Sequence, residues 1–340
     1  MKLMYSEKWV MEAFDLFYAK KILITGGLGF IGSNLARALA DRGARITVVD
    51  SLIPEYGGNP FNLEGYEDRI RMNVADIRDS FSMAYLVQGQ DYLFNLAGQT
   101  SHIDSMKDPF VDLDINCRSQ LFILEACRRY NPSIKIVYAS TRQIYGRPES
   151  LPVDEEHRLR PTDVNGINKM AGEFYHILYS QVYGIRSCVL RLTNTYGPRM
   201  RIKDARQTFL GVWIRNLIEN KPVEVWGDGQ QMRDFNFVDD VITALMVAAI
   251  SEKSGGEVYN LGGSEHINLK ELAATMIRIY GKGDYRIIPF PNDRKVIDIG
   301  DYYADYSKIQ KDLQWTPAAS LTEGLSKTLS YYDLYIDRYL

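Results

Sequence analysis

Two groups of residues in this chain have types and spacing suited to chemistry. The first is Gly26-Gly27-Leu28-Gly29-Phe30-Ile31-Gly32, with Asp50-Ser51 beginning 18 residues after Gly32. Gly26 permits a tight turn, Gly29 lets the backbone approach a pyrophosphate, and Gly32 lets a helix pack closely on a strand. The helix start at Phe30 and Ile31 offers unpaired N–H groups to an anion. Asp50 can accept hydrogen bonds from adenosine ribose hydroxyls, with Ser51 beside it, and its charge repels a 2′-phosphate; NAD is therefore expected over NADP. The second group is Asn165 and Lys169, four residues apart and so on one helix face. An amide there can orient a hydroxyl or a water but takes up no proton at neutral pH.

These residues need strands and helices to hold them. KILIT at 21–25, FIGSNLARALADRG at 30–43 and RITVVD at 45–50 alternate β-branched runs with helical periodicity, the β-α-β pattern of a parallel doubly wound sheet. Apolar runs follow at 92–97, 134–139 and 185–192, bounded by helical stretches near 109–130 and 164–183. The expected class is α/β: a Rossmann-type doubly wound parallel sheet with a smaller C-terminal substrate-binding lobe. Residues 21–197 form the NAD-binding domain with a returning segment at about 236–262, and 198–340, with helices near 207–220 and 238–250, form mainly the substrate lobe. Within 1–20, Trp9, Val10, Phe14 and Phe17 have near-helical spacing but are interrupted by Lys8, Glu12 and Asp15. That pattern predicts an accessory amphipathic helix and not a signal peptide.

At 340 residues the chain can bury the core of a cofactor domain and a second lobe. A net charge of −3 gives no basic footprint for nucleic acid and no polybasic membrane patch. No run approaches 18 uncharged apolar residues, so no membrane helix is expected. Cys117, Cys127 and Cys188 are widely spaced; they indicate neither a disulfide framework nor a thiolate metal site and suit a reducing cytoplasm. His157, His176 and His266 show no ligand spacing, so no metal is implied.

The ordered motifs TGGLGFIGSNL, VVDSL, NLAGQTSHIDSMKDP, YASTRQIYG, RLTNTYGPR, GDGQQMRDF and DYSK, from about residue 20 to 330, resemble the extended short-chain dehydrogenase/reductase family. The likeness is to its nucleotide-sugar epimerase and dehydratase branch. It implies a tightly held NAD that takes hydride from a sugar carbon, often C4, and returns it in the same site. It also implies roles: Asp76 and Ile77 flank adenine, Leu96, Ala97, Gly98 and Ser140 belong to the cofactor site, and Asn116 supports the strand-end loops beside it. Thr141 bonds the sugar hydroxyl being oxidised, and Lys169 grips the nicotinamide ribose. Arg233 binds the nucleotide diphosphate, Asn194 the substrate, and Arg294, with Lys295 as an equally placed rival, supplies a second diphosphate cation. Tyr145 matches a structural tyrosine. The helices near 109–130 and 164–183 correspond to a pair that forms a dimer interface in such enzymes, so a homodimer is expected, with Leu121, Leu124, Phe174 and Leu178 as the apolar positions involved.

Two departures matter. Where hexose 4,6-dehydratases of this branch carry Asp and Glu to eliminate water, this chain has Arg142 and Gln143, which argues against that elimination. Where the family places a tyrosine four residues before its lysine, this chain has Asn165, and no Tyr-x-x-x-Lys occurs elsewhere. Three readings stand: a catalytically silent NAD-binding regulator, a different proton acceptor, or reaction at a different carbon. His102, in the loop after NLAG, is the candidate acceptor, since imidazole titrates near neutral pH. The expected function is an NAD-dependent nucleotide-sugar epimerase, most like a 4-epimerase. Other nucleotide-sugar modification, by an epimerase at another carbon, a reductase or a dehydratase, is the alternative.

Overall fold

The structure is a computed structural model and describes residues 14–340; the expected N-terminal helix lies largely outside the described residues. Of that stretch, a 3-10 turn at Asp15–Phe17 is seen. Phe14 and Phe17 are buried, and Phe17 packs against Tyr92 with ring centroids 5.3 Å apart.

The strands are β1 (Lys21–Thr25), β2 (Arg45–Asp50), β3 (Ile70–Val74), β4 (Tyr92–Asn95), β5 (Lys135–Thr141), β6 (Arg186–Leu192), β7 (Asn194–Tyr196), β8 (Val223–Trp226), β9 (Met232–Phe237), β10 (Val258–Asn260), β11 (His266–Asn268) and β12 (Tyr285–Ile288). The helices are α1 (Phe30–Asp41), α2 (Ser80–Leu86), α3 (His102–Lys107), α4 (Pro109–Leu113), α5 (Ser119–Tyr130), α6 (Val164–Tyr183), α7 (Phe209–Ile218), α8 (Val238–Ile250), α9 (Leu269–Tyr280), α10 (Asn292–Lys295), α11 (Ser307–Leu313) and α12 (Leu321–Tyr335).

Seven strands form one parallel sheet in the order β10-β6-β5-β4-β1-β2-β3. The chain winds outward from β1 to β3, then crosses to β4 and winds the other way, so strand order reverses between β1 and β4. In such sheets ligands bind at the carboxyl ends beside that reversal. β5 is buried along most of its length, as its unbroken apolar run predicts for a strand covered on both faces. Leu35 and Leu39 of α1 meet Val241 and Leu245 of α8 in the core on one side. On the other, Met83 and Leu86 of α2 pack with Ile123, Leu124 and Cys127 of α5.

The smaller lobe carries a three-stranded sheet β11-β9-β7 and a parallel pair β8-β12. Between its elements β10 returns to the edge of the main sheet beside β6. Asn260 of β10 anchors the crossing: Tyr145 Oη donates to its Oδ1 at 2.7 Å, and its Nδ2 donates to the Val153 carbonyl at 2.9 Å.

The helix expected near 109–130 runs from Pro109 to Tyr130 without a gap but is not regular throughout. A π-helical turn at Asp114–Arg118 separates α4 from α5. At its end, Ser119 Oγ donates to the Ile115 carbonyl at 2.6 Å and Gln120 Nε2 donates to the same carbonyl at 3.3 Å. Such widened turns cluster at functional sites, and here the turn carries Asn116.

Candidate active site

The glycine-rich turn joins β1 to α1. Gly26 adopts φ +68°, and its N–H donates to the Val49 carbonyl at 2.7 Å. A Cβ on Gly32 would run into the Gly26 carbonyl, so only glycine lets α1 seat this low on the sheet. Helix α1 starts from Gly29 with no capping side chain, which leaves its first-turn N–H groups for an anion. At the end of β2, Asp50 accepts the Leu28 N–H and the Leu52 N–H, each at 3.0 Å. Burial raises its carboxyl above the ordinary value despite those bonds.

A cavity of about 130 Å³ lies over this turn. Its walls hold Gly26, Gly29, Phe30, Ile31 and Gly32, then Asp50 and Ser51 at the end of β2, Asp76 and Ile77 after β3, and Leu96, Ala97 and Gly98 after β4. Asp76 is gripped by Arg78, with Nη2 to Oδ2 at 2.6 Å. Burial would raise the Asp76 carboxyl, but the Arg78 bonds bring it below the ordinary value.

A second cleft of about 340 Å³ opens between the ends of β5 and β6 and the smaller lobe. It contains Thr141, His102, Asn165, Lys169, Ser140, Asn194, Arg233 and Arg294, and it shares the walls Phe30, Ile31, Leu96 and Gly98 with the first cavity. The two spaces therefore adjoin. Thr141 Oγ1 accepts the Gln143 N–H at 3.2 Å, and Ser140 Oγ is buried with no partner among the described residues. Lys169 is 7% exposed; its Nζ donates to the Ala139 carbonyl at 2.9 Å and lies 4.9 Å from the Tyr138 ring centroid. Burial lowers its amine to about 8. A Cβ on Gly98 would lie 3.2 Å from Lys169 Nζ and 2.8 Å from Asn116 Oδ1, so glycine is what lets both side chains come up beneath this edge of the cleft.

Asn165 is held from behind. Its Nδ2 donates to the Gln99 carbonyl at 2.8 Å and to Asp112 Oδ2 at 3.0 Å. Both amide hydrogens are thereby engaged, and only Oδ1 is left for a ligand. Asp112 is fully buried and also accepts Asn116 Nδ2 at 3.0 Å and Asn168 Nδ2 at 2.8 Å. Three amide donors around one carboxylate supply the hydrogen bonds that a buried charge requires. Asn116 thus belongs to this network beneath the site and not to the cavity wall.

His102 is not in a loop as expected: it opens α3, whose cap is Ser101, with Oγ accepting the Asp104 N–H at 3.1 Å. Its Nδ1 lies 2.9 Å from Asp163 Oδ2, close enough for an ion pair but poorly aligned for a hydrogen bond. Asp163 caps α6 by accepting the Gly166 N–H at 2.7 Å, and Gln143 Nε2 donates to it at 2.7 Å. Burial would raise the Asp163 carboxyl; His102, the Gly166 N–H and Gln143 bring it below the ordinary value.

On the smaller lobe, Arg233 is 5% exposed and lies 3.4 Å from Asp298; burial and neighbouring Arg142 lower it to about 10. Asn194 Nδ2 donates to the Asp234 carbonyl at 3.0 Å. Arg294 of α10 reaches the cleft over the Trp226 ring, 5.1 Å from its centroid, whereas adjacent Lys295 does not line it. Tyr145 is buried and accepts Arg191 Nη1 at 2.6 Å. Among the described residues no cluster of His, Cys, Asp or Glu could hold a metal ion, and no helix could cross a membrane.

Sequence reasoning missed Asp112 and Asp163. Asp112 and Asn116 are spaced i, i+4, and Asn165 and Asn168 i, i+3, polar pairs on helix faces that otherwise read as apolar. Asp163 stands immediately before the periodic run at 164, a capping position.

The model of the NAD dependent epimerase/dehydratase family matches residues 22–262. The chain is 31% identical over 318 residues to dTDP-glucose 4,6-dehydratase of Streptomyces griseus, covering 92% of this chain and 93% of that protein. It is 29% identical over 336 residues to CDP-paratose 2-epimerase of Salmonella typhi, covering 90% and 97%. The solved UDP-glucose 4-epimerase of Thermotoga maritima with UDP-glucose matches with TM-score 0.83 at 30% identity, covering 92% of this chain and 98% of that one.

Proposed function

The chain belongs to the NAD-dependent epimerase/dehydratase family, and on that premise we propose that it is an NAD-dependent nucleotide-sugar epimerase most like a 4-epimerase. The observation that carries this reading is the junction of the two cavities at Leu96 and Gly98. A cofactor over the glycine turn meets there a ligand lying along Thr141.

The first cavity suits NAD: Gly26, Gly29 and Gly32 leave room for a pyrophosphate against open N–H groups, Asp50 offers acceptors to the ribose, and Lys169 stands at the junction. When bound, NAD supplies a reversible hydride acceptor. Thr141 holds the reacting hydroxyl, and His102, backed by Asp163, accepts its proton. Asn165 Oδ1 accepts a hydrogen bond from substrate or water. Arg233, Arg294 and Asn194 hold the nucleotide diphosphate and sugar in a substrate lobe built mainly from residues 198–340. That three side chains converge on Asp112 beneath an open cleft is our reason for preferring a working replacement to a silent site.

The proposed assembly is a homodimer. Ile167, Phe174, Leu178 and Val182 on α6, with Phe110 on α4, expose apolar side chains, and contiguous exposed apolar surface is where proteins associate. Leu124 instead faces the molecule's own core and Leu121 is half-buried. The free thiols of Cys117, Cys127 and Cys188 suit the cytoplasm proposed for the protein.

The test is incubation of NAD-loaded protein with nucleotide sugars on different bases, followed by NMR of the recovered sugar and absorbance at 340 nm. Inversion at a sugar carbon is expected. NAD binding without turnover on any sugar would instead mark a regulator, and failure to bind NAD would remove the proposal. Light scattering at micromolar concentration checks the dimer, which a monomeric mass would refute.

A further inference from the structure

We infer that Arg142 selects an anionic group on the sugar, so that the substrate is a nucleotide-linked acidic sugar such as a uronic acid and not a neutral hexose. This rests on the nucleotide-sugar reading above and narrows it. Arg142 directly follows Thr141 and lines the same cleft. Its Nη2 donates to Asn194 Oδ1 at 3.0 Å, and its guanidinium carbon lies 5.2 Å from the Tyr302 ring centroid. Its Nη1 is buried and has no hydrogen-bond partner among the described residues.

A guanidinium has five donors and no acceptor. Leaving a buried donor of a charged group unmade carries the desolvation penalty in full, and such a group calls for an explanation in a ligand, water or ion. The nearby carboxylates do not supply one. Asp234 already accepts the Thr193 hydroxyl and the Ala304 and Gly263 N–H groups. Asp298 is taken by Arg233, Gln231 and the Gly300 N–H. Arg233 also feels the charge of Arg142, which contributes to its lowered value; an anion bound to Arg142 would relieve that repulsion.

Two anions could answer: a carboxylate on the sugar, or the diphosphate of the nucleotide. Arg142 is attached one residue from the hydroxyl that holds the reacting sugar, whereas Arg233 and Arg294 sit on the smaller lobe. The placement favours the sugar. A planar carboxylate also matches the guanidinium fork, which can bind it through two parallel hydrogen bonds.

The experiment uses NAD-loaded protein and matched pairs of glucose and glucuronic acid carried on UDP, dTDP, CDP and GDP, together with the bare nucleoside diphosphates. Calorimetry reads affinity and NMR reads turnover. On the preferred base, the glucuronic acid form should bind at least about tenfold more tightly than the glucose form. Arg142→Gln should remove that preference and change affinity for the bare diphosphate less than about twofold. Arg142→Lys, which keeps the charge and loses the fork, should fall between. Unaltered NAD affinity and melting temperature show that the variants fold. Equal or tighter binding of the glucose form overturns the inference and leaves the enzyme reading intact. An equal loss of bare-diphosphate affinity in Arg142→Gln also overturns it, by assigning Arg142 to the diphosphate. If no pair and no diphosphate binds on any base, the nucleotide-sugar reading fails and this inference fails with it.

Discussion

Lys169→Met should make the ligand-free protein more stable while abolishing turnover. Burial brings the Lys169 amine from 10.5 down to about 8, which at about 1.4 kcal/mol per pH unit corresponds to roughly 3 kcal/mol against the folded state at neutral pH. Losing the bond from Nζ to the Ala139 carbonyl offsets about 1 kcal/mol of that. The expected net gain at pH 7 is therefore about 2 kcal/mol. Between pH 8 and 10.5 the unfolded chain holds the proton that the folded chain has released, so wild-type stability rises with pH across that window. The advantage of the methionine variant should shrink over the same range. Urea denaturation of both proteins without NAD, at pH 7 and again near pH 10, measures the difference, since groups common to both cancel. A variant no more stable than wild type at pH 7, or a difference that does not change with pH, would refute the reasoning.

Asn165→Ala removes one of three amide donors from buried Asp112 and should cost about 2 kcal/mol, because bonds to a charged group are worth about 1.5–3; calorimetry showing an unchanged melting temperature would contradict it. Asp50→Ala should relax discrimination against NADP by a few kcal/mol, since like charges about 4 Å apart repel by that order at an intermediate dielectric. Equal affinity of the unaltered protein for both cofactors, by fluorescence titration, would sink that expectation. His102→Gln should lower turnover by about 10²- to 10⁴-fold with NAD affinity kept, and full activity would assign proton acceptance to another group.

The cofactor half was legible because its signals are local. The turn from Gly26 to Gly32, the strand before it and Asp50 lie within thirty residues, and the boundaries of β1, β2 and α6 match the apolar runs and periodicity. The π-helical turn at Asp114–Arg118 was not legible: hydrophobic periodicity does not encode a single widened turn inside a helix. The placement of His102 on α3 was missed because a six-residue helix leaves little periodicity to read. The backing of the site was hidden for another reason. Asp112 and Asn165 are 53 positions apart in sequence, and His102 and Asp163 further still; only the winding of the sheet brings them together. Asn165 illustrates the difference best. Its type said that it could not be a base, but not that both its amide hydrogens are already committed.

The return of β10 to the main sheet bears on how the chain can be divided. A fragment ending near residue 197 would contain the glycine turn, Asp50 and Lys169, yet β6 would keep an uncovered edge where β10 now pairs. Tyr145 would lose Asn260 as its acceptor, and the surface under α8 would be bare. Exposed strand edges beside apolar surface recruit other strands. The nucleotide half is therefore a module in pattern only: cut free, it is a seed for aggregation, and the two lobes must be made, folded and lost together.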